Sequence, residues 1–144
     1  MMKLKDVMTP NVEVVEFDSN LQEAAVKMKS LDIGALLVRE GTQLVGIVTD
    51  RDITIRAVAE GLDPKHTAVA EVMTTDFVYG YEHEDVAQAA RRMGAEQIRR
   101  LPVLNEKDEL VGIVSLGDLA VDTANDSLKG EVLEQISEPA SPDR

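Results

Sequence analysis

The phrase LVGIVTDRDI, Leu44 to Ile53, returns as LVGIVSLGDL at Leu110 to Leu119. Both copies keep a glycine, a hydroxyl three residues later and an aspartate three after that: Gly46, Thr49, Asp52 and Gly112, Ser115, Asp118. A ten-residue match with conservative exchanges marks an internal duplication, so the chain must fold as two versions of one unit. Each phrase reads as a buried strand running straight into a helix. Its first half is apolar and β-branched, and Thr or Ser followed by Asp suits a helix entrance.

Setting the copies side by side extends the match upstream. Val7, Met8 and Thr9 answer Val72, Met73 and Thr74. Val12, Val14 and Val15 form a short apolar patch, answered loosely by Phe77, Val78 and Tyr79, which predicts a short strand in each copy. Asp18, Ser19 and Asn20 then offer N-cap chemistry, with Glu23 in a capping-box relation to Asn20. His83, Glu84 and Asp85 hold the matching place, and their acids suit a helix's first turn. Leu21, Ala24, Ala25, Met28 and Leu31 recur with helical period, as do Val86, Ala89, Ala90 and Met93. The methionine in each series is a flexible core filler rather than a metal ligand.

A second strand follows each helix, Ile33 to Val38 and Ile98 to Val103. Pro102 lacks an amide hydrogen and belongs at an edge or on an unpaired side. Glu40, Gly41 and Thr42 form one hairpin turn, and Asn105 to Asp108 form another that is one residue longer. The offset between copies changes there from 65 to 66, which puts the single insertion in a loop. After the repeated phrase, helices are predicted from about Asp50 to Glu60, with Gly61 as the C′ residue, and from near Leu116 to about Thr123. Each repeat is thus β–α–β–β–α, an α+β architecture. The expected division is 1–65 for the first repeat with its lead-in and linker, 66–125 for the second, and 126–144 for a C-terminal helical, frayed tail. Leu128, Val132 and Ile136 give that tail some helical spacing.

A single repeat of about 60 residues would bury only ~60% of its extended surface, so two repeats sharing a core is the economical solution. With two Phe, two Tyr and no Trp, that core must be aliphatic. The absence of Cys excludes disulfides, thiolate metal sites and a cysteine nucleophile, and fits a reducing interior. No apolar run nears the ~20 residues that span a bilayer, and Met1 to Asp6 is no signal-peptide core. The expectation is therefore a soluble cytoplasmic protein without membrane contact. A net charge of −12 with no basic run argues against nucleic acid as a partner. In such a field an anionic ligand needs locally placed arginines.

Gly46 and Gly112 are costly inside apolar strands, and such glycines mark the close approach of a backbone or ligand. The hydroxyl and aspartate that follow admit two readings. One is a helix N-cap with an acid placed for the dipole, needing no ligand. The other is a nucleoside site, in which the hydroxyl and helix amides meet a phosphate and the carboxylate accepts both hydroxyls of a ribose. Spacing alone favours the cap. Arg99 and Arg100 can clamp a phosphate bidentately or form ordinary surface ion pairs; the first copy has Gly34 and Ala35 there. Asp50 and Asp52 face different ways on a helix and make no metal pair. His66 and His83 have no partners at a catalytic spacing. No catalytic constellation is present, and a non-enzyme is expected.

Two β–α–β–β–α repeats, each opening on Val-Met-Thr and closing on Gly-Ile-Val-Thr/Ser-x-x-Asp, resemble a pair of CBS (cystathionine β-synthase-type) domains, a Bateman module. The likeness runs from about Lys5 to Thr123. Asp50 to Ile53 with Gly61 to Pro64 further resembles the stand-alone bacterial and archaeal type, a mycobacterial hypoxia-response kind included. The resemblance implies pseudo-twofold packing of the repeats, pairing of modules into a homodimer, and a regulatory rather than catalytic role with no required cofactor. Its usual ligands are AMP, ADP, ATP or S-adenosylmethionine. It implies two clefts: one combining Thr49 and Asp52 with Thr74, Val78, Ile98, Arg99 and Arg100, the other combining Ser115 and Asp118 with Thr9, Val12, Val14, Ile33, Gly34 and Ala35. In that scheme the aspartates take the ribose, Thr49 and Ser115 take phosphate or other polar groups, and the backbone near Val12 or Val78 reads adenine. Arg99 stands where relatives often carry His. A ligand-free module docking a protein target in trans is the alternative.

Overall fold

The computed structural model describes residues 2–117 and 119. Its elements are α1 (Leu4–Val7), β1 (Val14–Glu16), α2 (Leu21–Leu31), β2 (Ala35–Glu40), β3 (Gln43–Thr49), α3 (Asp50–Ile53), β4 (Gly80–Tyr81), α4 (Val86–Glu96), β5 (Arg100–Leu104) and β6 (Leu110–Ser115). A π-helical turn, Thr54–Val58, extends α3, and a 3₁₀ turn covers Val69–Glu71. The class is α+β, with β–α–β–β order in both repeats. The predicted second-copy helix beyond Leu119, the 126–144 tail and Asp118 lie outside the described residues.

Two three-stranded sheets form, β1-β2-β3 and β4-β5-β6. In each the first pair is parallel, joined by a helix, and the second is an antiparallel hairpin. Strand starts fall two or three residues later than the apolar patches suggest: Val12 precedes β1, and Phe77, Val78 and Tyr79 precede β4. Gly41 takes φ +63° at the first position of a two-residue loop, as a type II′ hairpin requires. In the longer loop Asn105 Oδ1 accepts from the Lys107 and Glu109 amides, both at 2.9 Å. Each hairpin has a register shift in the same place, past Val38–Gly46 and past Val103–Gly112.

Pro102 sits in the middle strand opposite Ile113, whose N–H and C=O both bond to Thr9. The Pro102–Ile113 pair is therefore the non-hydrogen-bonded kind. The nitrogen of Pro102 faces the other side, where β4 pairs only with Val103 and Leu104. Its missing hydrogen is needed nowhere.

Asn20 caps α2 by accepting from the Glu23 amide at 2.8 Å, and Asp85 caps α4 through the Ala87 amide. At the far ends, Asp32 and Gln97 take φ +55° and +56°. The Ile33 amide reaches back to Met28 O and the Ile98 amide to Met93 O, both at 3.0 Å, which makes each end a Schellman motif on a non-glycine residue. Gly61 (φ +74°) forms the same motif after the π turn, with Leu62 N–H to Ala57 O at 3.0 Å. That is the C′ role its sequence position predicts.

By compactness the chain divides into Glu13–Phe77 and a unit combining the described residues of 1–12 with those from Val78 on. The lead-in, grouped by sequence within 1–65, thus packs with the second repeat's elements. The segment 67–77 packs with the first repeat's. Leu4 is fully buried in a cluster with Val86, Met93, Leu101 and Val114, and Val69 in one with Leu21, Met28, Leu36 and Val48. The two segments correspond residue by residue. Leu4 answers Val69, and Asp6 bonding the Lys3 amide answers Glu71 bonding the Ala68 amide. The buried stripe of α2 is narrower than its periodicity implies: Ala25 and Leu31 are exposed.

Candidate functional site

In the 13–77 unit, β3 passes directly into α3, so Thr49 becomes the N-cap of that helix. Thr49 Oγ1 accepts from the Asp52 amide and Asp52 Oδ2 accepts from the Thr49 amide, each at 3.0 Å. This reciprocal capping box is the ligand-free reading of the hydroxyl–x–x–Asp spacing, realised in the folded chain. Thr74 Oγ1 adds donor contacts to both carboxylate oxygens, at 3.3 and 3.4 Å. Asp52 is only 9% exposed.

Thr74 reaches Asp52 because its backbone bonds both ways to Ile47, N–H to O at 2.7 Å and O to N–H at 2.9 Å. That approach explains Gly46. A Cβ there would lie 2.6 Å from Met73 Sδ and 3.0 Å from Thr74 O. The glycine thus marks the close approach of a backbone, and the approaching chain is the protein's own. Arg56, on the π turn, donates to the carbonyls of Val72 and Met73 at 3.2 Å each and lies 3.9 Å from Asp52 Oδ1. It ties Met73 and Thr74 to the start of α3.

Gly34 and Ala35 flank the same helix entrance. Gly34 O accepts from the Asp50 amide at 2.9 Å, and Ala35 pairs with Thr49. Ile33 lines an open groove of about 280 Å³ with Met28, Lys29, Asp50, Ile53 and Thr54. The Val14 carbonyl is already occupied, by Lys27 Nζ at 2.6 Å.

The other unit repeats the scheme with different chemistry. Thr9 bonds both ways to Ile113, at 2.8 and 3.0 Å, and a Cβ on Gly112 would lie 2.6 Å from Met8 Sδ. Arg100 pairs with Ser115 at the end of β6, and the Leu116 amide donates to Arg99 O at 2.9 Å. Val78 and Ile98 pack against the apolar cluster rather than standing free. Arg99 and Arg100 are exposed, and among the described residues neither lies within ion-pair distance of a carboxylate. In a chain of net charge −12, two adjacent arginines left so are available to an outside anion.

The motif occurs twice, with the same close approach at each strand glycine. The model of the family described as "CBS domain" matches residues 4–58 and 69–121. This chain belongs to the CBS-domain family. Both matches start at the buried residue of the docked segment, Leu4 and Val69. The chain is 43% identical over 137 residues to the CBS domain-containing protein YhcV of Bacillus subtilis, covering 95% of this chain and 96% of that one. Among solved structures it is similar to Hypoxic Response Protein I with two coordinated zinc ions. There the identity is 35% and the TM-score 0.76, over 85% of this chain and 100% of that one. It is also similar to CBSX2 in complex with AMP, at 25% identity and TM-score 0.71, over 84% of this chain and 95% of that one.

The CBS repeats thus distribute the expected site residues by unit. Val14, Ile33, Gly34, Ala35, Thr49, Asp52 and Thr74 share one; Thr9, Val12, Val78, Ile98, Arg99, Arg100 and Ser115 share the other. Sequence reasoning missed Arg56 and Lys27, whose partners are backbone carbonyls that no side-chain motif announces. It also missed why methionine precedes threonine in both segments. The signal was present, since each glycine in a strand has its Met in the other repeat. Among the described residues no group of three or more His, Cys, Asp or Glu is placed to hold a metal, and no helix is long and apolar enough to cross a membrane.

Proposed function

We propose that this CBS pair is a non-catalytic regulatory module that binds an adenine nucleotide or adenosyl compound: AMP, ADP, ATP or S-adenosylmethionine. The observation that carries this reading is the exposed Arg99–Arg100 pair, with Arg100 opposite Ser115, two guanidiniums without carboxylate partners among the described residues of an acidic chain. The AMP complex of the similar CBSX2 supports the ligand class. In this reading Arg99, Arg100 and Ser115 hold the phosphate, and Asp118 takes the ribose by the family pattern. At Asp52 a ribose has to compete with the Thr49 amide and the Thr74 hydroxyl for the same oxygens. A phosphorylated ligand therefore prefers the arginine side, and binding approaches one per chain. Val26, Ile55 and Val58, 54%, 49% and 65% exposed, support pairing into a homodimer. A ligand with different affinity for two states of that dimer shifts their populations and so passes a signal to a protein target in trans.

Thermal unfolding with AMP, ADP, ATP and S-adenosylmethionine tests this. Saturation at about 100 times the Kd adds ~2.7 kcal/mol, roughly 5–10 °C for a chain this size. The shift should disappear in Arg99→Ala/Arg100→Ala and persist in Asp52→Asn. No shift with any of the four at millimolar concentration overturns the ligand reading and leaves the ligand-free interaction module.

A further inference from the structure

The segment Met2–Thr9 is bonded along its length to the second repeat's elements. Val86 N–H donates to Met2 O, Leu4 N–H to Glu84 O and Lys5 N–H to Glu82 O, each at 3.0 Å, and Thr9 bonds twice to Ile113. Lys3 and Asp85 form an antiparallel bridge. Two hollows receive its side chains, each made by a missing Cβ. A Cβ on Gly80 would lie 2.7 Å from Leu4 Cδ1, and one on Gly112 would lie 2.6 Å from Met8 Sδ. Glu82 to Asp85, the α4 entrance and β6 thus form a socket shaped for leucine, with methionine four residues on and threonine next.

We propose that this socket also accepts the same segment from a second copy of the chain, so that the N-terminal segment is exchangeable between molecules. Three observations commit the occupant. All five of the backbone bonds above run to the 78–119 part, none to the Glu13–Phe77 unit. The segment continues through Pro10, Asn11 and Val12 into the Glu13–Phe77 unit, a short connection that can serve as the hinge of an exchange. Charge is complementary as well. Lys3 and Lys5 against Asp6 leave residues 2–12 at +1 in a chain of −12, and the rim they meet carries Glu82, Glu84 and Asp85. Contacts made in trans are the same as in cis, so the balance is set by concentration against an effective local concentration of about millimolar for a short tether.

The chain has no cysteine, so introduced thiols report cleanly. Bridge partners in antiparallel pairs have Cα atoms about 4.5–5.5 Å apart, within disulfide range. A Lys3→Cys chain mixed with an Asp85→Cys chain in glutathione buffer should give a disulfide-linked heterodimer that increases with protein concentration. The double variant Lys3→Cys/Asp85→Cys should close within one chain on dilution. Adding Leu4→Asp to the Lys3→Cys chain should abolish the heterodimer; the accepting chain keeps an intact socket, so its folding is not in question. The proposal is overturned if the heterodimer is no more abundant than from Lys3→Cys with Lys107→Cys, if it survives Leu4→Asp, or if the double variant fails to close.

Discussion

Leu4→Ala is the sharpest probe of how the repeats are built. Leu4 is completely buried, packed among Val86, Ala90, Met93, Leu101 and Val114, although in sequence it opens the first repeat. Truncating a leucine so enclosed removes its transfer energy and leaves a cavity, about 3 kcal/mol within the usual 2.7–5.0 range. A loss of ~3 kcal/mol is about a 10²-fold change in an opening equilibrium. Amide hydrogen exchange measures it by position. The Val86 amide, bonded to Met2 O, and the Ile113 amide, bonded to Thr9 O, should exchange about 10²-fold faster through local opening. The Ile47 and Thr74 amides, bonded to each other's carbonyls in the other unit, should change far less. If protection is lost chiefly in β1, α2 and β3 while Val86 and Ile113 are unaffected, the lead-in does not dock on the second repeat and the division into units is wrong.

Gly46→Ala and Gly112→Ala should each cost roughly 1–3 kcal/mol by denaturant unfolding, because the new methyl meets a methionine sulfur and a threonine carbonyl and overpacks the strand; equal stability to the parent would sink the close-approach account. Asp32→Gly should stabilise by about 0.5–1 kcal/mol. It relieves a left-handed residue (φ +55°) and removes an acid from a helix C-terminus; a lower midpoint refutes it. At Asp63, the hydrogen bond from His66 and then the Lys65 amide hold the carboxyl below its ordinary value of 3.8. A depressed folded-state value means the turn's added stability is present above pH 3.8 and is lost as pH falls through the lower folded value. NMR titration of the Asp63 carboxyl should give a midpoint under 3.8, and one at or above it removes the effect.

Much of the fold is legible in the repeated phrase. Period-two and period-3.6 patterns are local, so the strands, the helices α2 and α4, the hairpins and the Gly61 terminus follow from nearby residues. Pro102 was placed by what it lacks. The Schellman ends at Asp32 and Gln97 were not legible, since both residues are unexceptional helix formers or breakers and the left-handed turn is imposed by Ile33 and Ile98 packing back on the helix. The π turn at Thr54–Val58 likewise leaves no mark in the composition.

The motif Thr49-x-x-Asp52 shows where local reading ends. Its spacing already allowed a helix cap, and the structure forms that cap with two 3.0 Å bonds. That Thr74 and Arg56 close around the same carboxylate is a matter of segments distant in sequence, brought together because Gly46 admits Met73. Sequence alone determined that there are two equivalent units, that each pairs a glycine in a strand with a hydroxyl and an acid, and that only the second carries paired arginines. Tertiary structure decided which Val-Met-Thr segment docks on which strand. Both segments and both glycine hollows are alike, so no local preference distinguishes the pairings; chain connectivity and packing of Leu4 and Val69 make the choice.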